Sequence, residues 1–263
     1  MVWHAAVKLA YDGRLFMGSQ RQPCVRTVES ETMEALRKIG AIESASSSHL
    51  RFASRTDRGV SALGNVAAFN TSFDRAALLK ALNAASPDVL FYAWAEVPET
   101  FSARRARQRW YRYLLPSDGL DVELLAKCAA LFEGRHDFKR FCRPDGRPTV
   151  RTIDSFHVVK DGGAMVIDVR GREFLRNMVR RMVAALIEAG SGHVSLEEVS
   201  SVLNGEDRCF GLAPAEQLIL MDVDHGVEFT AHCPATLRRK VAAYHADALS
   251  RSAFIDGLRE RLA

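Results

Sequence analysis

The sequence predicts an α+β fold divided into two halves. Three observations support this. Strand-period and helix-period segments alternate along the whole chain. The breakers Pro116, Ser117, Asp118 and Gly119 interrupt that alternation near its middle. Hydrophobic residues make up 48% of the 263 positions, enough to bury a core in each half. The expected division lies near residues 105 to 118, with one half at 1–105 and the other at 106–263.

Each element has its own signal. Val7, Leu9 and Tyr11 recur at period two and read as a strand ending at the Asp12-Gly13 turn. A helix follows from about Thr27, with Val28, Thr32, Ala35, Leu36 and Ile39 on one face. Short strands are expected at 50–54 and 64–71, and a helix capped by Asp74 carries Ala77, Leu78, Ala81 and Leu82. Strands are expected at 89–97 and 108–115 and a helix at 121–132. The Asp161-Gly162-Gly163 turn joins strands at 155–160 and 165–170 into a hairpin. The strongest helical stripe runs from Phe174 to Ala189 and stops at Gly190. A helix at 195–204 opens on a Ser195/Glu198 capping box, a strand covers 218–223, and the chain is helical and polar from about Pro234.

Composition narrows the function classes. The net charge is +4, and arginine is clustered: Arg104, Arg105, Arg107, Arg109 and Arg112 in one stretch, Arg170, Arg172, Arg176, Arg180 and Arg181 in another. The planar guanidinium fork matches phosphate and stacks on bases, so the clusters point to an anionic partner such as nucleic acid. The five cysteines are widely spaced and form no C-x-x-C, so neither a disulfide framework nor a structural zinc site is expected. Lys8, Asp12 and Arg14 interrupt the early apolar residues, and no run of about 18 apolar residues occurs. No secretory signal, no membrane span and a cytoplasmic location are therefore expected.

Three segments carry chemistry. In Ser54-Arg55-Thr56-Asp57-Arg58-Gly59-Val60, two arginines flank an aspartate in a loop between strands and favour its charged form. Such a carboxylate can act as a nucleophile or stabilise charge near a sugar C1′, and it can equally cap a turn. In Arg109-Trp110-Tyr111-Arg112-Tyr113, strand alternation puts Arg109, Tyr111 and Tyr113 on one face and Trp110 and Arg112 on the other. Aromatics interleaved with arginine suit base stacking and phosphate contact, with Trp110 and Tyr113 assigned to core packing. In Phe174-to-Arg181, the apolar stripe forces Arg176, Arg180 and Arg181 to its flanks, where an arginine can reach a carboxylate in a cleft. Arg181 is expected to extend to water.

In this order the segments resemble the tRNA pseudouridine synthase A family. The resemblance also takes in Tyr11-Asp12-Gly13, Gln20-Arg21-Gln22-Pro23, Val25-Arg26-Thr27-Val28, His136-Asp137-Phe138, Arg151-Thr152-Ile153 and Leu212-Ala213-Pro214, so it spans most of the chain. It implies two similar halves with mixed or antiparallel sheets joined around a central basic cleft, helices on the outer faces. It implies isomerisation of uridine to pseudouridine at positions 38 to 40 of the tRNA anticodon stem–loop, by a homodimer gripping one tRNA. Carried over by position, the catalytic residues fall on Asp57, Tyr111 and Arg180. Tyr111 is the base-stacking tyrosine and Arg180 the partner of Asp57. Arg55, Arg58, Arg109 and Arg176 join Tyr111 as expected substrate contacts.

The sequence departs from the common family form at Arg58, Ser61, Ser19 and Gln217, where Ala, His, Trp and Gly are usual, and the segment beyond about residue 230 matches poorly. Two other readings use the same residues: a non-catalytic RNA-binding protein with RRM-like sheets, and a metal-dependent nuclease. The second needs clustered carboxylates, and Asp57 has no acidic neighbour in its motif. The isomerisation oxidises nothing and releases no group, and neither a Gly-rich phosphate loop nor a metal triad is legible, so no cofactor and no metal are expected. Pseudouridine formation should survive exhaustive EDTA treatment. Activity lost to EDTA and restored by zinc or magnesium, beyond their effect on tRNA folding, would contradict this.

Overall fold

A computed structural model describes residues 1–262. In the first half, β1 (Trp3–Tyr11), β2 (Arg51–Phe52), β3 (Ser61–Thr71) and β4 (Val89–Glu96) accompany helices α1 (Val28–Lys38) and α2 (Leu78–Ala85). The second half carries β5 (Gln108–Pro116), α3 (Val122–Leu131), β6 (Gly134–Asp137), β7 (Val150–Asp161), β8 (Ala164–Gly171), α4 (Met178–Gly190), α5 (Leu196–Leu203) and β9 (Leu218–Asp224). The chain then returns: β10 (Thr230–Ala231) pairs with β4, and α6 (Ala235–Leu262) packs on α2 and β4.

All ten strands form one sheet, in the order β10-β4-β1-β3-β9-β5-β8-β7-β6 with β2 on β3. The pairing of β3 with β9 is parallel and brief, Ser61 with Ile219 and Ala62 with Leu220. The remaining pairings are antiparallel. Register places Tyr11, Ala62, Leu220, Tyr111, Val169 and Phe156 in one row across six strands. Residues paired side by side share a face. The row therefore brings Tyr11 of the first half and Tyr111 of the second onto the same side of the sheet. Alternate residues of β1, from Trp3 to Tyr11, are buried on this side with Phe91 of β4 and the apolar residues of α1 and α2. In the second half Tyr111, Tyr113, Ile167, Val169 and Phe156 are buried there with α3 and α4.

Most helix ends follow their sequence signals. Thr27 accepts from the Ser30 amide in a capping box, Asp121 caps α3, and Ser195 with Glu198 forms the expected box on α5. Three elements differ from expectation. The helix expected from Phe174 begins at Met178, because Asn177 takes φ 63° and Phe174 turns away to pack edge-on against Tyr111, ring centroids 5.2 Å apart. Asp74 accepts from the Ala77 amide in the turn before α2, and the helix proper begins at Leu78. β6 has no alternating apolar signal; it exists because its backbone finds β7, which itself starts at Val150. The final helix, polar as expected, is tied down at its start. Leu237 is buried, the Lys240 ammonium donates to the Asn83 and Ser86 carbonyls at the end of α2, and the Tyr244 hydroxyl donates to Asp88 at 3.0 Å. Among the described residues no helix is long and apolar enough to cross a membrane.

The end of β1 presses against the loop that precedes β3. A Cβ on Gly13 would lie 2.2 Å from the Val60 carbonyl oxygen, so only glycine allows this approach. Gly13→Ala should destabilise the chain by about 1–3 kcal/mol as the two segments are forced apart. Urea unfolding with an unchanged midpoint would show that the contact is dispensable.

Candidate active site

The loop 53–60 is held by a buried polar bracket rather than by apolar packing. Asn65, fully buried in β3, donates to the Ser54 carbonyl at 2.9 Å and accepts from the Ser54 amide at 3.2 Å. The Thr56 amide donates to Ser19 Oγ at 2.7 Å, and its carbonyl accepts from the Ser19 amide at 3.1 Å. Tyr11 Oη and Thr56 Oγ1 are 2.9 Å apart. The loop then turns: the Val60 amide donates to the Asp57 carbonyl at 3.1 Å, with Gly59 at φ +89°, the conformation a type II turn demands of its third residue. Because the backbone on both sides of Asp57 is fixed, its side chain has a defined exit.

That exit leads to the start of α4. Asp57 Oδ2 accepts from Asn177 Nδ2 at 2.7 Å and from Arg180 Nη1 at 3.3 Å. Arg180 is itself aimed by its Nε, which donates to the Ala213 carbonyl at 2.7 Å. The Arg180 side chain is only 14% exposed and the Asp57 side chain 31%, so the cation lies behind the carboxylate, which stays open to an incoming ligand. Tyr111 stands on the same side of the sheet, buried against Phe174. Burial pushes its hydroxyl above the ordinary tyrosine value, outweighing the opposite pull of the Arg109 guanidinium. Among the described residues no three His, Cys, Asp or Glu side chains are grouped to hold a metal ion.

A family model described as tRNA pseudouridine synthase matches residues 128–225, the stretch that contains Asn177 and Arg180. The tRNA pseudouridine synthase A of Pyrococcus horikoshii is 47% identical over 232 residues, which cover 86% of this chain and 87% of that protein. The chain belongs to the tRNA pseudouridine synthase A family. The enzyme of that name from Thermococcus kodakarensis is 41% identical over 256 residues, 94% of this chain and 96% of its own. That of Methanosarcina mazei is 43% identical over 228 residues, 85% of each. The synthase is thus an isomerase that makes pseudouridine in tRNA, and the readings as a non-catalytic RNA binder or a nuclease are set aside.

Of the residues singled out in its sequence, the synthase brings Asp57, Tyr111 and Arg180 to one side of the sheet. Arg55 and Arg58 are exposed on either side of Asp57, and Arg176 is exposed just before Asn177. Arg109 lies elsewhere than expected. It is buried, and its guanidinium donates to Ser54 Oγ at 2.9 Å and to the carbonyls of Ala53, Arg104 and Arg172. With these donors spent on groups of the protein, it braces the loop. Trp110, assigned to the core, is instead half-exposed on the opposite face with Asp168. There the Arg112 and Arg170 guanidinium groups lie 5.2 and 4.5 Å from its ring centroid. Tyr113 is the core residue, its hydroxyl donating to Gln217 at 2.6 Å. Arg181 donates to Cys209 and the Phe210 carbonyl instead of extending freely to water. The sequence reading missed Asn177, whose neighbours in an apolar helical stripe concealed it.

Burial also sets an alkaline limit. The Tyr11 hydroxyl is pushed from 10.0 up to about 12 by burial, against its hydrogen bonds to Thr56 and Asn65, and burial likewise takes Tyr113 to about 12. The folded chain keeps these protons at a pH where the unfolded chain releases them. Their stabilisation is whole below pH 10 and is lost as pH rises from 10 to about 12. The melting temperature should fall across that window, less steeply in Tyr11→Phe. A flat profile would mean these hydroxyls are not protected by the fold.

Proposed function

We propose that the synthase acts on uridines 38 to 40 of the tRNA anticodon stem–loop, with Asp57 as the group that works at the sugar. The observation that carries this reading is the ion pair of Asp57 with Arg180, a carboxylate backed by a less exposed cation. In the reaction the N1–C1′ bond breaks, the base rotates and a C5–C1′ bond forms. C5 loses its proton and N1 gains one, so no atom is added or removed. A stacked and paired base cannot rotate in this way, so the nucleotide must leave the helix first. Attack on C1′ and removal of a sugar proton both need a carboxylate oxygen at the sugar, and the loop bracket supports delivering one there.

Tyr111, on the Asp57 side of the sheet, is the candidate to receive the displaced base, and Arg180 the candidate to stabilise Asp57. The exposed Arg55, Arg58 and Arg176 surround this point and are suited to phosphate contact. We take the two halves, 1–105 and 106–263, to form the walls of the cleft. The synthase is further proposed to work as a cytoplasmic homodimer that grips one tRNA.

Pseudouridine mapping on unmodified tRNA tests both parts of this reading. Product should be confined to positions 38 to 40; product elsewhere in the molecule would refute the specificity. Asp57→Asn should abolish product while leaving tRNA affinity within a few fold, because affinity is spread over many phosphate contacts. Turnover by Asp57→Asn would remove Asp57 from the chemistry.

A further inference from the structure

The direction of the Asn177 side chain is one that local helix capping does not explain. Asn177 is the N-cap residue of α4, where an asparagine side chain ordinarily accepts a hydrogen bond from the first turn of its helix. It makes no such bond. Its backbone sits at φ 63°, ψ 2°, the left-handed region that asparagine tolerates better than most side chains and that is over-represented at functional sites. The amide instead donates to Asp57 Oδ2 at 2.7 Å, on the loop that precedes β3. A carboxylate only accepts, so the NH2 end must be the one facing it.

Arg180 reaches the same oxygen with one nitrogen at 3.3 Å, its Nε being committed to Ala213. Both donors thus converge on Oδ2, while among the described residues none is recorded on Oδ1. The torsion that swings an aspartate carboxylate is broad and roughly twofold, so one long contact leaves it free to turn. Two donors from different directions do not.

We infer that Asn177 is a positioning residue for Asp57: its amide locks the carboxylate by Oδ2 and leaves Oδ1 to face the flipped nucleotide. This rests on the reading of Asp57 as the group acting at the sugar. A neutral amide suits the task because it orients the carboxylate without adding a second cation behind it. Arg180 supplies the charge, and Asn177 supplies the direction.

The test uses full-length enzyme and a tRNA transcript, with single-turnover rates and tRNA affinity measured on the same preparations. Asn177→Gly keeps the left-handed backbone at no steric cost and removes only the amide. Its single-turnover rate should fall about 10- to 100-fold, the loss expected for one hydrogen bond to a charged group, with affinity unchanged. Asn177→Asp also tolerates the backbone but sets a second acceptor against Asp57, and should be at least as slow. A wild-type rate in Asn177→Gly would overturn the inference, as would weakened affinity at an unchanged rate, which would make Asn177 a substrate contact. Should Asn177→Gly fail to fold, a wild-type rate in Asn177→Asp would overturn it equally. Asp57→Asn run alongside separates the two readings. Turnover by that variant defeats the role of Asp57 itself. An inactive Asp57→Asn beside a fully active Asn177→Gly defeats only the role of Asn177.

Discussion

At the middle of this sheet β3 meets β9 in parallel, Ser61 with Ile219 and Ala62 with Leu220. Much of the architecture depends on that seam. β9 is the last long strand in the chain, yet it lies in the middle of the sheet, between β3 of the first half and β5 of the second. Parallel neighbours require a long crossover, here everything from α2 to α5. The seam falls at the first residues after the Asp57 loop, so the strand that joins the halves also fixes where that loop ends. Arg180 and Asn177 can meet Asp57 because the seam sets the spacing between the elements that carry them.

The loop itself is held by polar groups, and this has an energetic consequence. Each buried hydrogen bond contributes only about 0.5–1.5 kcal/mol net, but an orphaned buried partner costs about 1–3 kcal/mol. A bracket made of Ser19, Tyr11, Asn65, Thr56 and Arg109 is therefore intolerant of partial removal, which gives the loop one conformation rather than several. Three of the departures from the common family form belong to this inner structure. Ser19 binds both backbone groups of Thr56, Ser61 Oγ accepts from the Gly13 amide at 3.0 Å, and Gln217 accepts from Tyr113. Their side chains complete hydrogen bonds inside the protein.

The C-terminal segment has a comparable role at longer range. It crosses back to the first half, adds β10 to the sheet edge and lays the start of α6 on α2, where Lys240 supplies donors to the final carbonyls of that helix. The rest of α6 is largely exposed, and near its end Arg259 lies 3.6 Å from Asp118 of the second half. At such exposure this pair adds little stability.

Where information was local, the sequence by itself determined most of the outcome. Strand alternation placed Tyr111 and Tyr113 on one face, apolar stripes located α1 and α4, and capping residues set the starts of α1, α3 and α5. Ordered motifs marked Asp57, Tyr111 and Arg180. Only the tertiary structure decided which of these groups meet. Arg109 and Arg55 are the same residue type near the same loop, yet one is buried among carbonyls and the other is exposed, because only Arg109 shares the inward face of β5. Trp110 is half-exposed because it falls on the face of β5 opposite the buried Arg109, Tyr111 and Tyr113. β6 forms only when β7 supplies its partner backbone. Asn177 reads as an ordinary helical position until Asp57, 120 residues away, draws its amide. Hydrogen bonds between such distant positions leave no period in the sequence, since their geometry exists only once the sheet has brought both ends together.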